Sequence, residues 1–280
     1  MSVAPKNSQA VFQKLDRDLV RLSSELRPQT VHRIRTGTRR LQILLGELSP
    51  KLNRSQKKLL KLLGRLRKRA GKVRDLDVQL AALRSLKIPH EPRRKTQLMN
   101  ELIELRRSRE KKLIRAADKN TIREIRKRLR RARKDFDPKA SREPLTVARE
   151  MLEPVHFGDG ELTEAFLHRY RILSKRARYA AEFGEQSPET GQFIAGVKRI
   201  QDALGDWHDW LTLTQTASRQ IGEVHESSLV AELHNVTGAK FRRALAVLAP
   251  MRTKSDATKP PAEGSVGSLA RTIPPMSSAA

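Results

Sequence analysis

Residues 32–41 read His32-Arg-Ile-Arg-Thr-Gly-Thr-Arg-Arg-Leu41, and residues 168–177 read His168-Arg-Tyr-Arg-Ile-Leu-Ser-Lys-Arg-Ala177. The stretches agree at the histidine, at two following arginines, at a base in the eighth place (Arg39 and Lys175) and at an arginine in the ninth. Further along, Ala70-Gly-Lys-Val-Arg-Asp75 aligns with Leu204-Gly-Asp-Trp-His-Asp209, so that 43 residues separate His32 from Asp75 and 41 separate His168 from Asp209. Two motifs in the same order at nearly equal spacing point to an internal duplication. The expected organisation is a flexible N-terminus over residues 1–7, one repeat over about 8–137 and a second over about 141–250, with a disordered tail over 251–280.

The surrounding sequence is helical in period. Val11, Leu15, Leu19, Leu22 and Leu26 already mark one face at spacings of three and four. Helices are predicted roughly over 8–26, 30–48, 54–86, 92–117, 120–135, 144–153, 161–184, 189–220 and 225–249, with stops at Pro28, Pro50, Pro89 with Pro92, Pro138, Pro154, Gly184 with Pro188, and Pro250. No segment reads as a strand. The expected fold class is all-α, built from a duplicated helical unit. Beyond Met251, Pro, Ser, Ala, Thr and Gly replace the large apolar residues, which is why the tail is read as disordered.

At about 100° per residue, His168, Arg171, Lys175 and Arg178 fall on one narrow stripe, and His32, Arg35 and Arg39 repeat it. Beside the stripes run Val31, Ile34, Leu41, Leu45 and Leu48 in the first copy and Leu167, Tyr170, Ala177 and Ala181 in the second, so the cations flank the packing seam. Like charges three and four apart on a helix repel. Something negative must lie along each stripe: either carboxylates of a neighbouring helix, with Asp75, Asp77 and Asp209 as candidates, or an external anion. Asp77 shares the face of Leu59, Leu63, Leu66 and Ala70 and is expected to turn to the seam as an ion-pair partner, whereas Leu211 holds the equivalent place in the second copy. The cations outnumber these carboxylates, which favours a groove open to an external anion.

Composition agrees. Of 280 residues, 58 are Lys or Arg against 31 Asp or Glu, a formal charge of +27, and a polyanionic partner is the first expectation. Residues 1–158 carry 43 basic and 17 acidic side chains, a net of +26, and the remainder is almost neutral at +1. The densest block is 93–139, including Arg126-Lys-Arg-Leu-Arg-Arg-Ala-Arg-Lys134. Without cysteine there is no disulfide, no thiolate nucleophile and no thiolate metal site. No run approaches the ~18 apolar residues of a membrane span and the N-terminus lacks a signal-peptide core, so a cytoplasmic protein with no membrane partner is expected.

The pattern His-x-x-Arg-x-x-x-Arg-Arg-Leu at 32–41, Gly71-Lys-Val-Arg-Asp-Leu-Asp-Val78, His168-x-x-Arg-x-x-x-Lys-Arg-x-Arg-Tyr179 and Leu204-Gly-x-x-x-Asp209 resembles the CHAD family, the conserved-histidine α-helical domain, over about residues 8–250. The resemblance implies two pseudo-symmetric four-helix units with basic faces on a shared cavity. It further implies binding of long-chain inorganic polyphosphate and recruitment to polyphosphate granules. It assigns polyphosphate contacts to His32, Arg35, Arg39, Arg40 and Arg74, and to His168, Arg171, Lys175, Arg176 and Arg178. His32 and His168 either donate to phosphate or orient an arginine. Gln42, Thr36 and the mid-helix Gly37 depart from the family pattern and weaken the first stripe. No Glu-x-Glu-x-Lys of the triphosphatase tunnel domain is present, so a stand-alone member is expected.

The alternative readings are a basic protein that binds nucleic acid nonspecifically, through residues 93–134, and an accessory module to a phosphate-metabolising enzyme. Aromatics are only 4% of the chain and none interleave with bases as stacking platforms, which makes nucleic acid the weaker reading. No catalytic activity, cofactor or metal is expected. Asp75 and Asp77, two apart on a helix, point ~200° away from each other, and Glu153-Pro-Val-His156 is the only Glu-x-x-His spacing of note. Trp207 and Trp210, with Ile200, Leu204 and Leu211, are expected in the core.

Overall fold

The computed structural model describes residues 3–24, 26–87, 92–153, 162–221 and 227–256. Residues 257–280 of the expected tail, the stops at Pro89 and Pro154, the charge division at Gly158 and Pro154, Val155 and His156 of the Glu-x-x-His spacing lie outside them. The described residues are helical with no strand, in the order α1 (Pro5–Ser24), α2 (Pro28–Ile43), α3 (Arg54–Ser85), α4 (Pro92–Ala116), α5 (Lys119–Asp135), α6 (Pro144–Glu150), α7 (Glu164–Ala181), α8 (Pro188–Ile221) and α9 (Ser228–Asp256). The fold class is all-α, as the periodicity indicates.

Local chemistry fixes the starts. Asn53 makes a capping box with Gln56 ahead of α3, Asp118 accepts from the amides of Asn120 and Thr121 at α5, and Thr163 accepts from Phe166 at α7. Proline opens α2 and α6, where its missing N–H is no loss. The end of α2 departs from simple winding: Leu44–Leu48 forms a π-helical turn, which keeps Leu44, Leu45 and Leu48 buried while Glu47 turns toward α7.

Three apolar clusters hold the helices together, and they do not divide at the boundary expected near residues 137–144. The largest joins α1, α2, α5 and the first half of α3 to Leu145, Val147 and Ala148 of α6 and to Ala177, Tyr179, Ala180 and Ala181 at the end of α7. A second unites the C-terminal half of α3 and α4 with Leu213, Ala217, Leu229, Val230 and Leu233 of α8 and α9. The third contains Leu167, Tyr170, Ile200, Leu204, Trp207, Ala244 and Leu248. The reason is length: α3 and α8, of 32 and 34 residues, reach about 50 Å at 1.5 Å per residue, so each runs through two clusters.

Two expected termini differ. Residues 3–7 are docked, not loose: Val3 is fully buried, the Ala4 amide donates to Phe183 O at 2.9 Å, and Asn7 Nδ2 donates to Glu182 O and Gly184 O at 3.1 and 3.2 Å. The segment satisfies carbonyls that the end of α7 leaves unpaired. At the other end α9 continues through Pro250 to Asp256. A proline deletes one amide donor, and a helix can pass through it with a local kink. Gly37, a poor helix former, has a packing reason: a Cβ there would sit 3.2 Å from Leu15 Cδ1, so its absence admits α1 close against α2.

Docking of the N-terminal segment predicts that Asn7→Ala lowers unfolding free energy by about 1–2 kcal/mol through loss of two side-chain bonds to the α7 carbonyls. Urea denaturation followed by circular dichroism checks this, and an unchanged midpoint would mean that the segment is not held.

Candidate anion-binding site

Helices α2 and α7 pack together, with α3 beside α2 and α8 beside α7. Val31, Ile34 and Leu41 on α2, and Leu167, Tyr170 and Ala177 on α7, are buried. Burying those faces sets the rotation of each helix and leaves the cationic stripes along the seam. On α2, Arg35 lies over Gly71 of α3. Its Nη1 donates to Asp75 Oδ1 at 2.9 Å and to Gly71 O at 3.4 Å. The corresponding arginine of α7, Arg171, lies with Nη2 3.8 Å from Asp209 Oδ1 on α8. Each His-x-x-Arg segment thus aims its arginine at the aspartate of the following helix. Asp75 is open to solvent at 63% side-chain exposure and Asp209 partly so at 42%, so neither pair is sealed against a competing anion.

The rest of the face is cationic and unmatched. Arg39, Arg67, Arg74 and Lys175 have no carboxylate partner among the described residues. Nε of Arg67 and Nε of Arg171 are buried with no hydrogen-bond acceptor. Burial, then the nearby Arg35, Arg67 and Arg171 guanidiniums, lower the pKa of Arg39. Arg67 is lowered by burial and by Arg35. The ammonium of Lys175 is pushed down to about 7, first by burial and then by Arg171 and Arg39. Against Arg35, Arg39, Arg67, Arg74, Arg171 and Lys175 stand the two carboxylates of Asp75 and Asp209. The pKa of Asp209 is raised, first by burial and also by Asp75, against the lowering by Arg171 and Lys175. Cations held this close without counter-charge lose hydration and gain nothing from one another. An anion entering here relieves both deficits.

The histidines lie at the rim. His32 and His168 are exposed. The pKa of His32 is lowered by burial and then by Arg74 and Arg35. The His168 ring stands 5.1 Å from that of His208, whose pKa falls to about 4 through burial and the charges of Arg171, His168 and Lys175. His208 is therefore a neutral ring at neutral pH.

The ten residues marked in the sequence separate into two groups. His32, Arg35, Arg39, Arg74, His168, Arg171 and Lys175 share the face just described. Arg40, Arg176 and Arg178 turn to carboxylates of the chain itself. Arg40 Nη2 and Arg178 Nη1 donate to the two oxygens of Glu182 at 2.7 and 2.5 Å. Both guanidiniums stack on the Tyr179 ring, 5.6 and 4.8 Å from its centroid, and Arg178 Nε also donates to Gln201 Oε1 at 2.8 Å. Arg176 pairs with Glu47. Arg178 thus leaves the stripe that the wheel assigned to it, because Glu182 lies one turn on. Asp77 differs as well: it is buried but bonds Arg106 Nε of α4 at 2.6 Å, and so it neutralises no stripe residue. Trp207 is 1% exposed and packs 5.7 Å from the Phe241 ring, in the core as expected.

Apart from Arg74, the α3 side of the face is missing from the sequence reading. A concavity of about 490 Å³ between α2 and α3 is lined by Arg35, Arg39, Lys61, Arg65, Arg67 and Lys68, beside Gly64 and Gly71. The signal was present as bases at 61, 65, 68 and 72, a helical stripe hidden within a generally basic segment. Among the described residues no group of three or more His, Asp or Glu is placed to hold a metal ion, and no helix is long and apolar enough to cross a membrane.

Comparison with known proteins agrees with this architecture. No curated protein sequence matches the chain. The crystal structure of the CHAD domain from the plant Ricinus communis is similar with a TM-score of 0.56 at 20% identity, over 91% of this chain and 90% of that chain, a likeness of fold. The sequence model of the CHAD domain matches residues 9–218, three quarters of the chain and all four motifs that carry the cationic face, and on that match the chain belongs to the CHAD domain family.

Proposed function

We propose that this chain binds long-chain inorganic polyphosphate on the face formed by α2, α3, α7 and α8, and through it associates with polyphosphate granules. The carrying observation is the cluster of Arg39, Arg67, Arg74 and Lys175, without carboxylate partners, beside the Arg35–Asp75 and Arg171–Asp209 pairs. Polyphosphate is a flexible file of anionic groups with no base to stack or read. A ligand of that kind is matched by guanidiniums that grip two oxygens at once and by an ammonium acting as a point charge. Membership of the CHAD domain family supports the same ligand. The reading contains no catalytic step; capture is electrostatic, driven by release of counterions from the polymer.

A second, weaker reading has its own observation. Arg123, Lys127, Arg130, Arg131 and Lys134 of α5 are exposed, on a helix whose Ile122, Ile125, Leu129 and Ala132 are buried in the core. This outward cationic face suits loose, salt-sensitive contact with nucleic acid. As an accessory module the chain would present polyphosphate to a separate phosphate-metabolising enzyme.

Replacing Arg35, Arg39, Arg171 and Lys175 together by alanine is expected to weaken polyphosphate binding by about 100-fold or more with helicity retained. Calorimetry or filter binding beside circular dichroism reads both quantities, and unchanged affinity would remove the site from this face. In the opposite direction, Asp75→Asn with Asp209→Asn frees the two arginines and is expected to tighten binding about threefold to tenfold at low salt.

Proton linkage supplies a further check. In the free protein Lys175 loses its proton near pH 7 instead of near 10.5, and bound phosphate favours the charged form. Binding is then expected to take up a proton above pH 7, with affinity falling as pH rises from 7 to 9. Calorimetry in buffers of different ionisation enthalpy measures the uptake, and Lys175→Gln should abolish it. For folding the sign is opposite: the unfolded chain holds this proton more tightly between pH 7 and 10.5, so Lys175 makes stability rise with pH across that window.

A further inference from the structure

We propose that Lys175 is a site of covalent acylation by anionic acyl donors, with acyl phosphates as the fitting class. It is one of 21 lysines, and its surroundings are unlike those of an ordinary surface amine. Lys175 lies on α7 one turn beyond Arg171, is partly buried, and has no carboxylate partner among the described residues. The charged and titratable groups that act on it are Arg171 from its own helix, Arg35 and Arg39 from α2, and His208 and Asp209 from α8.

Two consequences of that geometry meet at one atom. Burial among guanidiniums disfavours the ammonium and leaves a large fraction of Nζ neutral near pH 7, which is the nucleophilic form. The same guanidiniums form a socket for a phosphoryl group: Arg39 is unpaired and Arg171 is held only at 3.8 Å by Asp209. A donor seated by its phosphoryl group on Arg39 and Arg171 presents its carbonyl carbon beside Lys175, so binding and activation coincide.

The step balances without an oxidant or reductant. The Nζ lone pair attacks the carbonyl carbon and a C–N bond forms. The C–O bond to phosphate breaks with its electron pair on the departing phosphate, which takes the proton lost by nitrogen and leaves as hydrogen phosphate. The product is an amide at a position where the face loses one cation permanently. The chemistry does not depend on which polyanion the face binds, since it needs only the amine and the two arginines.

The test exposes the full chain to acetyl phosphate at pH 7.5 and follows acetylation of each lysine by quantitative peptide mass spectrometry. Lys198, with a side chain 66% exposed, is the reference. Lys175 is expected to react about tenfold faster or more, and its rate should level off near pH 8. With p-nitrophenyl acetate, an uncharged donor, the lead of Lys175 should shrink several-fold. Arg39→Gln should slow acetyl phosphate labelling at Lys175 and leave Lys198 unaffected. Reaction at Lys175 no faster than at Lys198, a Lys175 rate that keeps climbing to pH 10, or an equal lead with the uncharged donor would each overturn the proposal.

Discussion

Glu182 holds α2 and α7, the two helices that carry the histidine–arginine stripes, against their own repulsion. One oxygen accepts from Arg40 of α2 and the other from Arg178 of α7, with the Tyr179 ring beneath both guanidiniums. Glu47 and Arg176 make a second tie between the same helices. Arg35 and Arg39 on one side of the seam and Arg171 and Lys175 on the other act on one another electrostatically. The carboxylates at the end of α7 and in the π turn after α2 offset that repulsion between the helices, while Asp75 and Asp209 offset it at the flanks. The docking of Asn7 onto Glu182 O and Gly184 O ties the N-terminus to the same junction, so the first and second halves of the chain are joined where the charge demands it.

This division of labour explains why a chain with a charge of +27 uses so few of its cations at the site. Most are exposed and individually worth little, or are paired within one helix, as Arg128 is with Glu124 and Arg107 with Glu104. The face of α2, α3, α7 and α8 is different because burial and crowding act together there. Desolvation and the cationic field together depress the pKa of Lys175 and keep His208 neutral, whereas desolvation raises the pKa of Asp209 against that field. A ligand that brings negative charge reverses the electrostatic part of that penalty, and the aspartates keep Arg35 and Arg171 oriented until it arrives.

Much of the fold was legible because the determinants are local. A helix expected over 54–86 is α3, Arg54–Ser85, since Asn53 caps its start and leucines recur at Leu59, Leu63 and Leu66. The stripe His32, Arg35 and Arg39 follows from periodicity alone. Neighbouring arginines of identical type were not separable. Arg39 faces the site and Arg40 faces Glu182, a residue 142 positions away; Arg176 is claimed by Glu47, 129 positions away. The helical face of Asp77 points to a partner in the seam, but Arg106 of α4 takes it instead. The clusters that join distant helices were hidden for the same reason, since periodicity gives the face of a helix and not the helix that covers it. The motif order was sufficient to mark the family; which cations remain unpaired required the fold.

The most direct measurement of the central claim is a competition at physiological salt between long-chain polyphosphate and single-stranded DNA matched for total phosphate. An unpaired cationic face without aromatic platforms should prefer polyphosphate at least tenfold, because it offers charge-assisted bonds to bare phosphates and no surface on which bases stack. Equal competition by DNA would contradict the account and reduce the protein to a generic polycation.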